Sequence, residues 1–150
     1  MVSTKPKIRQ IIVTGIFVAY ILVLLYLALG SPIFGRTEVH RHLSIIPFIS
    51  IIDILLNGTT KAIVINIMGN IGVFVPMGIL LPFILQKSLF LRILCFSFIT
   101  SMFIEIMQYI TSSGFTDIDD VILNTIGSIT GYGIYLIIKS FLYKANKDRS

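Results

Sequence analysis

The sequence predicts an all-α membrane protein: a four-transmembrane-helix bundle with a short interfacial or re-entrant segment between helices 1 and 2. Three observations lead there. The 150 residues are 55% hydrophobic and only 13% charged, with a mean hydropathy of +0.95, whereas soluble domains carry about 25% charged residues. Four apolar runs are each about long enough to cross a bilayer as a helix, at ~20 residues. The basic residues flank those runs and do not interleave with aromatics in a patch. The net charge of +5 therefore reads as a topology signal, and nucleic acid is not expected as a partner. A single domain over residues 1–150 is the natural count at this length.

Residues 11–29 form the first uncharged apolar run, behind Lys5, Lys7 and Arg9. A signal peptide is the competing reading, because Ala28-Leu29-Gly30 resembles a small-x-small cleavage site. Signal h-regions are shorter, at ~7–15 residues, so a retained span is expected. Residues 31–61 are a mixed connector carrying Arg36, Glu38, His40, Arg41, His42 and Asp53. Within it, residues 43–56 are apolar but interrupted by Pro47. At ~14 residues this piece lies in the interface or re-enters. Asn57-Gly58-Thr59-Thr60 reads as a turn, with Thr59 or Thr60 as a helix N-cap.

Residues 62–85 are the second span, and its interior holds Asn66, Gly69, Asn70, Gly72, Pro76, Gly78 and Pro82. Neighbouring helices can take up the backbone groups that such residues free, and small residues allow close approach. A kinked, tightly packed helix follows. The third span, residues 89–110, starts beside Lys87 and Arg92 and ends with Glu105 and Gln108. A second connector, residues 111–120, closes on Asp117-Ile118-Asp119-Asp120. The fourth span, residues 121–142, then carries Asn124 and the GxxxG pair Gly127 and Gly131.

Counting basic residues orients the bundle. One side holds Lys5, Lys7, Arg9, Lys87, Arg92, Lys139, Lys144, Lys147 and Arg149; the other holds Arg36, Arg41 and Lys61. The positive-inside rule then places both termini in the cytoplasm of a bacterial plasma membrane and both connectors outside. At 1.5 Å per residue, Asn66 lies roughly 6 Å and Asn70 roughly 12 Å below the outer surface, with Glu105 at roughly 8 Å. Gln108 is higher, and Asn124 is about one turn below Asp120. Three helices thus bring their polar groups to one outer-leaflet depth.

Within each helix the spacing favours convergence. Asn66 and Asn70 are i,i+4, Glu105 and Gln108 are i,i+3, and Asp120 and Asn124 are i,i+4. The candidate ligand-binding set is therefore Asn66, Asn70, Glu105, Gln108, Asp117, Asp119, Asp120 and Asn124. Each has a plainer alternative. The asparagines serve equally as bonds between helices, and Asp119 and Asp120 as negative charges favoured at a helix N-terminus. Glu105 is a site candidate because an ionisable residue at membrane depth is costly; a protonated structural acid is the alternative. Gly127 and Gly131 suit packing, within one chain or in a homo-oligomer.

Catalytic residues are not legible. No P-loop, CxxC, GxSxG or HExxH is present, and neither a cofactor nor a metal is expected. His40 and His42 are two apart on a connector, a weak pattern for a metal. Cys95 is the one cysteine, so no intramolecular disulfide forms.

The ordered set of motifs resembles the VanZ-like family of small bacterial membrane proteins, over roughly residues 15–140. It comprises Ile46-Pro47-Phe48, Asn66 through Asn70 to Phe74-Val75-Pro76-Met77-Gly78, Glu105 to Gln108, and Asp117-Ile118-Asp119-Asp120 with Asn124-Thr125-Ile126-Gly127. Ser44 stands where that family often has Asn, and Ser113-Gly114-Phe115-Thr116 where it commonly has Arg. An absent Arg removes a ready partner for a carboxylate or an anionic ligand. The resemblance implies a part in tolerance to teicoplanin-type glycopeptides or another cell-envelope role. Its expected partners are membrane lipids and a lipoglycopeptide or cell-wall precursor. An intramembrane enzyme acting on lipid-linked envelope precursors and a purely structural scaffold are the alternatives.

Overall fold

Apolar length sets the frame. The computed structural model describes residues 5–30, 42–85, 90–111 and 115–147. Four helices are long and apolar enough to cross a membrane: Ile8–Leu29, Thr60–Leu85, Phe90–Thr111 and Ile118–Ala145. The first lies within α1 (Lys5–Gly30). Then come strand β1 (His42–Ser44), helix α2 (Ile49–Asn57) and helix α3 (Thr60–Ile63), which runs through a π-helical turn (Val64–Met68) into α4 (Gly69–Leu85). Helix α5 (Phe90–Thr111), strand β2 (Phe115–Asp117) and helix α6 (Ile118–Lys147) complete the order. The all-α membrane bundle expected from composition is what the chain forms.

Local chemistry explains the boundaries. The Thr59 hydroxyl accepts the Ala62 N–H at 3.2 Å and so starts α3. Helix α6 begins at Ile118, earlier than residue 121. Asp117 accepts the Asp119 N–H at 2.9 Å as an N-cap, and Asp119 and Asp120 occupy a first turn whose dipole favours negative charge. Helix α2 has nine residues and buries none of them, far too short to span. It is the short segment expected between the first two spans.

Small residues bring α4 against α6. A Cβ on Gly127 would strike the Ile71 carbonyl, one on Gly131 the Val75 carbonyl, and one on Gly78 the Ser128 carbonyl. The GxxxG face is thus used inside the chain. The buried Ser128 hydroxyl donates to the Phe74 carbonyl across the same seam at 3.3 Å. Pro76 and Pro82 lie inside α4. Helix α1 joins through Leu24, which packs with Phe74, Met77 and Ile104, and through Tyr20, whose hydroxyl donates to the Val73 carbonyl at 2.7 Å. Ile11, Leu22, Ile99 and Phe141 remain exposed, as side chains facing lipid tails would be.

One element is absent from any periodicity argument. Strands β1 and β2 pair in parallel, with His42 opposite Phe115, Leu43 opposite Thr116 and Ser44 opposite Asp117. The two connectors are thereby joined at one end of the bundle.

Candidate functional site

Carboxylates in sequence become a relay of anchored backbone in space. Glu105, buried on α5, accepts the Asp117 N–H at 3.0 Å. The Asp117 carboxylate accepts the Asp119 N–H in turn. Asp119 is 1% exposed; one oxygen accepts the Phe48 N–H at 2.5 Å and the other the Ile51 N–H at 3.0 Å. Both oxygens of Asp119 therefore hold the start of α2, supplying from α6 the acceptor that α2 lacks in its own N-cap. Thr116 adds a bond to the Glu105 carbonyl at 3.2 Å.

The Ile46-Pro47-Phe48 motif gains a physical meaning here. Phe48 has φ 70° and ψ −2° and is the one non-glycine residue at positive φ among those described. Those angles are what the third residue of a type II turn needs, with Pro favoured before it. A bulky L-residue is strained there, and the Asp119 bond is what holds it.

Two cavities meet at Asp120. The inner one, about 30 Å³, is lined by Asn70, Glu105, Gln108, Asp120 and Asn124, together with apolar side chains of α1 and α4. That is room for about two waters. The outer one, about 480 Å³, opens beside α2 and is lined by Ser50, Asp53, Asn66, Asp117, Asp119 and Asp120, among others. Asn70 donates its amide to the Asp120 carboxylate, fixing the group that both cavities share. Asn124 donates to the Ser101 hydroxyl at 2.8 Å, and Gln108 to the Ala28 carbonyl at 2.9 Å. Their carbonyl oxygens, Gln108 Oε1 and Asn124 Oδ1, are buried and accept nothing from the protein. The inner cavity is therefore rich in acceptors and poor in donors.

The structure brings Asn70, Glu105, Gln108, Asp120 and Asn124 together in one cavity, while Asp117 and Asp119 sit on the outer one. Asn66 departs from the i,i+4 expectation. Its amide donates to the Ala62 carbonyl at 2.9 Å, and it lines the outer pocket apart from Asn70. Asn66 lies within the π-helical turn Val64–Met68 and Asn70 in the first turn of α4. Sequence reasoning missed Asp53 and Ser50 on α2, which face the outer pocket. The available signal was Asp53 and Asn57 at i,i+4, which bond at 2.8 Å. His40 lies outside the described residues, and His42 falls in β1.

A family model described as VanZ/LLP1 matches residues 17–139. The chain is also 28% identical over 144 residues to Protein VanZ of Enterococcus faecium, covering 93% of this chain and 83% of that protein. No solved structure matches the chain. The family match spans α1 from Phe17 onward, both connectors and α6 as far as Lys139, and so includes every residue of the two cavities. The chain belongs to the VanZ/LLP1 family of membrane proteins.

Proposed function

We propose that the protein lies in the bacterial plasma membrane with both termini cytoplasmic and binds a donor-bearing or cationic head group of an amphiphile at the outer leaflet. The biological outcome of this binding is tolerance to teicoplanin-type glycopeptides, or protection of a cell-wall precursor from them. One observation carries the reading: Asp120, oriented by Asn70, lines both the inner acceptor-rich cavity and the open pocket. A ligand entering the open pocket meets carboxylates on one wall and Ile49, Ile54, Ile67 and Leu123 beside them, a surface suited to an amphiphile.

The residues then divide by role. Glu105 and Asp120 engage the head group, with Gln108 Oε1 and Asn124 Oδ1 as neutral acceptors. Asn70 positions Asp120, and Asn66 sits at the open rim. Asp117 and Asp119 position the site by holding β2, α6 and α2. The orientation draws support from the basic residues: Arg9, Arg92, Lys139, Lys144 and Lys147 lie toward one end of the spans, and Lys61 alone among the described Lys and Arg side chains toward the other. The link to glycopeptides rests on the family resemblance, with which the similarity to Protein VanZ of Enterococcus faecium agrees.

A structural reading also has an observation in its favour, because Glu105, Asp117 and Asp119 each hold a backbone amide. Expression of Asp120→Asn and Glu105→Gln in a teicoplanin-sensitive host separates the two. Binding predicts lost tolerance at wild-type protein abundance. Full tolerance in both variants at normal abundance removes this site assignment, and tolerance that falls in step with abundance establishes the scaffold.

A further inference from the structure

At the opposite end of the bundle a third cavity, about 530 Å³, opens between α1, α4 and α6. Arg9 and Gln10 come from α1, Phe83 from the end of α4, and Tyr135 and Lys139 from α6. Lys139 is 19 residues beyond Asp120 on one helix, so it lies roughly 28 Å from the acidic site, close to a full hydrocarbon thickness. The pocket is thus at the other membrane interface, and nothing in the proposed glycopeptide reading uses it.

Its electrostatics are one-sided. Two cations from separate helices face the cavity, and its lining contains no Asp or Glu. Between residues 121 and 147, and again between 5 and 30, the sequence has no acidic residue at all. The Lys139 ammonium stands 5.9 Å from the centroid of the Tyr135 ring, within cation–π range. Tyr135 is itself 8% exposed and fixed edge-on against Phe83 at 5.0 Å. The lysine is therefore seated on a rigid ring at the cavity wall. Val13, Pro82, Ile138 and Leu142 complete the lining, so apolar wall adjoins the cationic mouth.

We propose that this pocket binds a phosphate-bearing anion, delivered as the head group of an anionic lipid whose acyl chains run along the apolar wall. Arg9 supplies a fork suited to two phosphate oxygens, and Lys139 a point charge. The volume falls within the usual range for small-molecule sites, about 300–1,000 Å³. Basic pockets between spans are a recurring way to hold lipid phosphates at an interface.

Native mass spectrometry of the full chain, released from nanodiscs of phosphatidylglycerol or of phosphatidylcholine, tests this. Retention of phosphatidylglycerol is expected for the wild type, for the Arg9→Lys/Lys139→Arg pair, and for Lys144→Gln, whose side chain lies off the pocket. The Arg9→Gln/Lys139→Gln pair is expected to bind about 30-fold more weakly, from two interfacial charges. Single Lys139→Gln, at an exposed side chain, keeps the test available should the double variant fail to accumulate. Equal retention of both lipids, or wild-type retention by the neutral pair, overturns the proposal. Displacement of bound lipid by inorganic phosphate at matched concentration overturns the lipid source and assigns the pocket to a soluble anion.

Discussion

The Asp119 carboxylate on α6 accepts the backbone N–H of Phe48, 71 residues earlier in the chain, at 2.5 Å. Its second oxygen takes the Ile51 N–H at 3.0 Å. A side chain that reads in sequence as the opening charge of one helix is therefore the cap of another. Four consequences are open to measurement.

Asp119→Ala removes two charge-assisted bonds from a buried position. At about 1.5–3 kcal/mol each, the loss reaches several kcal/mol if α2 stays in place, so α2 is expected to detach. Hydrogen exchange across residues 45–57 should accelerate, with far smaller change in α4. Asp119→Asn keeps one acceptor and should fall between the two.

Phe48 tests the strain directly. The residue is 53% exposed, and the left-handed conformation costs an L-residue roughly 1–2 kcal/mol. Phe48→Gly relieves that cost and adds backbone entropy of about 0.5–1 kcal/mol, leaving stability close to wild type. Phe48→Val puts a β-branched residue at positive φ and should lower the thermal midpoint clearly. Purified protein in detergent suffices for both.

The glycines divide sharply. Gly127→Ala drives a methyl into the Ile71 carbonyl, and an over-packed seam costs typically 1–3 kcal/mol. A Cβ on Gly72 or Gly133 meets nothing within 4 Å, so alanine there should stabilise by roughly 0.5–1 kcal/mol. Comparing thermal midpoints of the three variants checks packing between α4 and α6 without reference to function.

Asn70→Leu removes the donor that orients Asp120 at similar volume. Teicoplanin tolerance is expected to fall severalfold, and further than abundance in the membrane, which an immunoblot of the same cells measures. Ser101→Ala, which deprives Asn124 of its acceptor at 2.8 Å, should produce a milder loss of the same kind.

The spans were legible because lipid imposes a length and a polarity on any helix that crosses it. The depth argument was legible for the same reason, and it brought Asn70, Glu105, Gln108, Asp120 and Asn124 to one level, where they share a cavity. Asn66 lines the outer pocket instead, and the π-helical turn that holds it is a matter of hydrogen-bond register, which residue spacing does not encode. The tethering of Phe48 by Asp119 escaped it because both partners look locally sufficient: an acid at a helix start and a proline-led turn. The strand pair escaped it because three residues on each side are too few to show alternation. Asp53 was visible but carried no pattern until α2 was laid beside α6.

The order in which the chain is made gives the α6 contacts a further meaning. Asn70 meets Asp120 50 residues later, Phe48 meets Asp119 71 residues later, and Ser101 meets Asn124 23 residues later. All three bonds are closed by α6, the fourth of the described spans in chain order and so made after the other three. A nascent chain holding three spans has the amide of Asn70 and the hydroxyl of Ser101 without these partners, and a membrane gives such groups no water in exchange. Arrival of α6 and satisfaction of these polar groups are then one event. Chains that stall before α6 hold the Asn70 and Ser101 side chains in the membrane without the partners that α6 supplies.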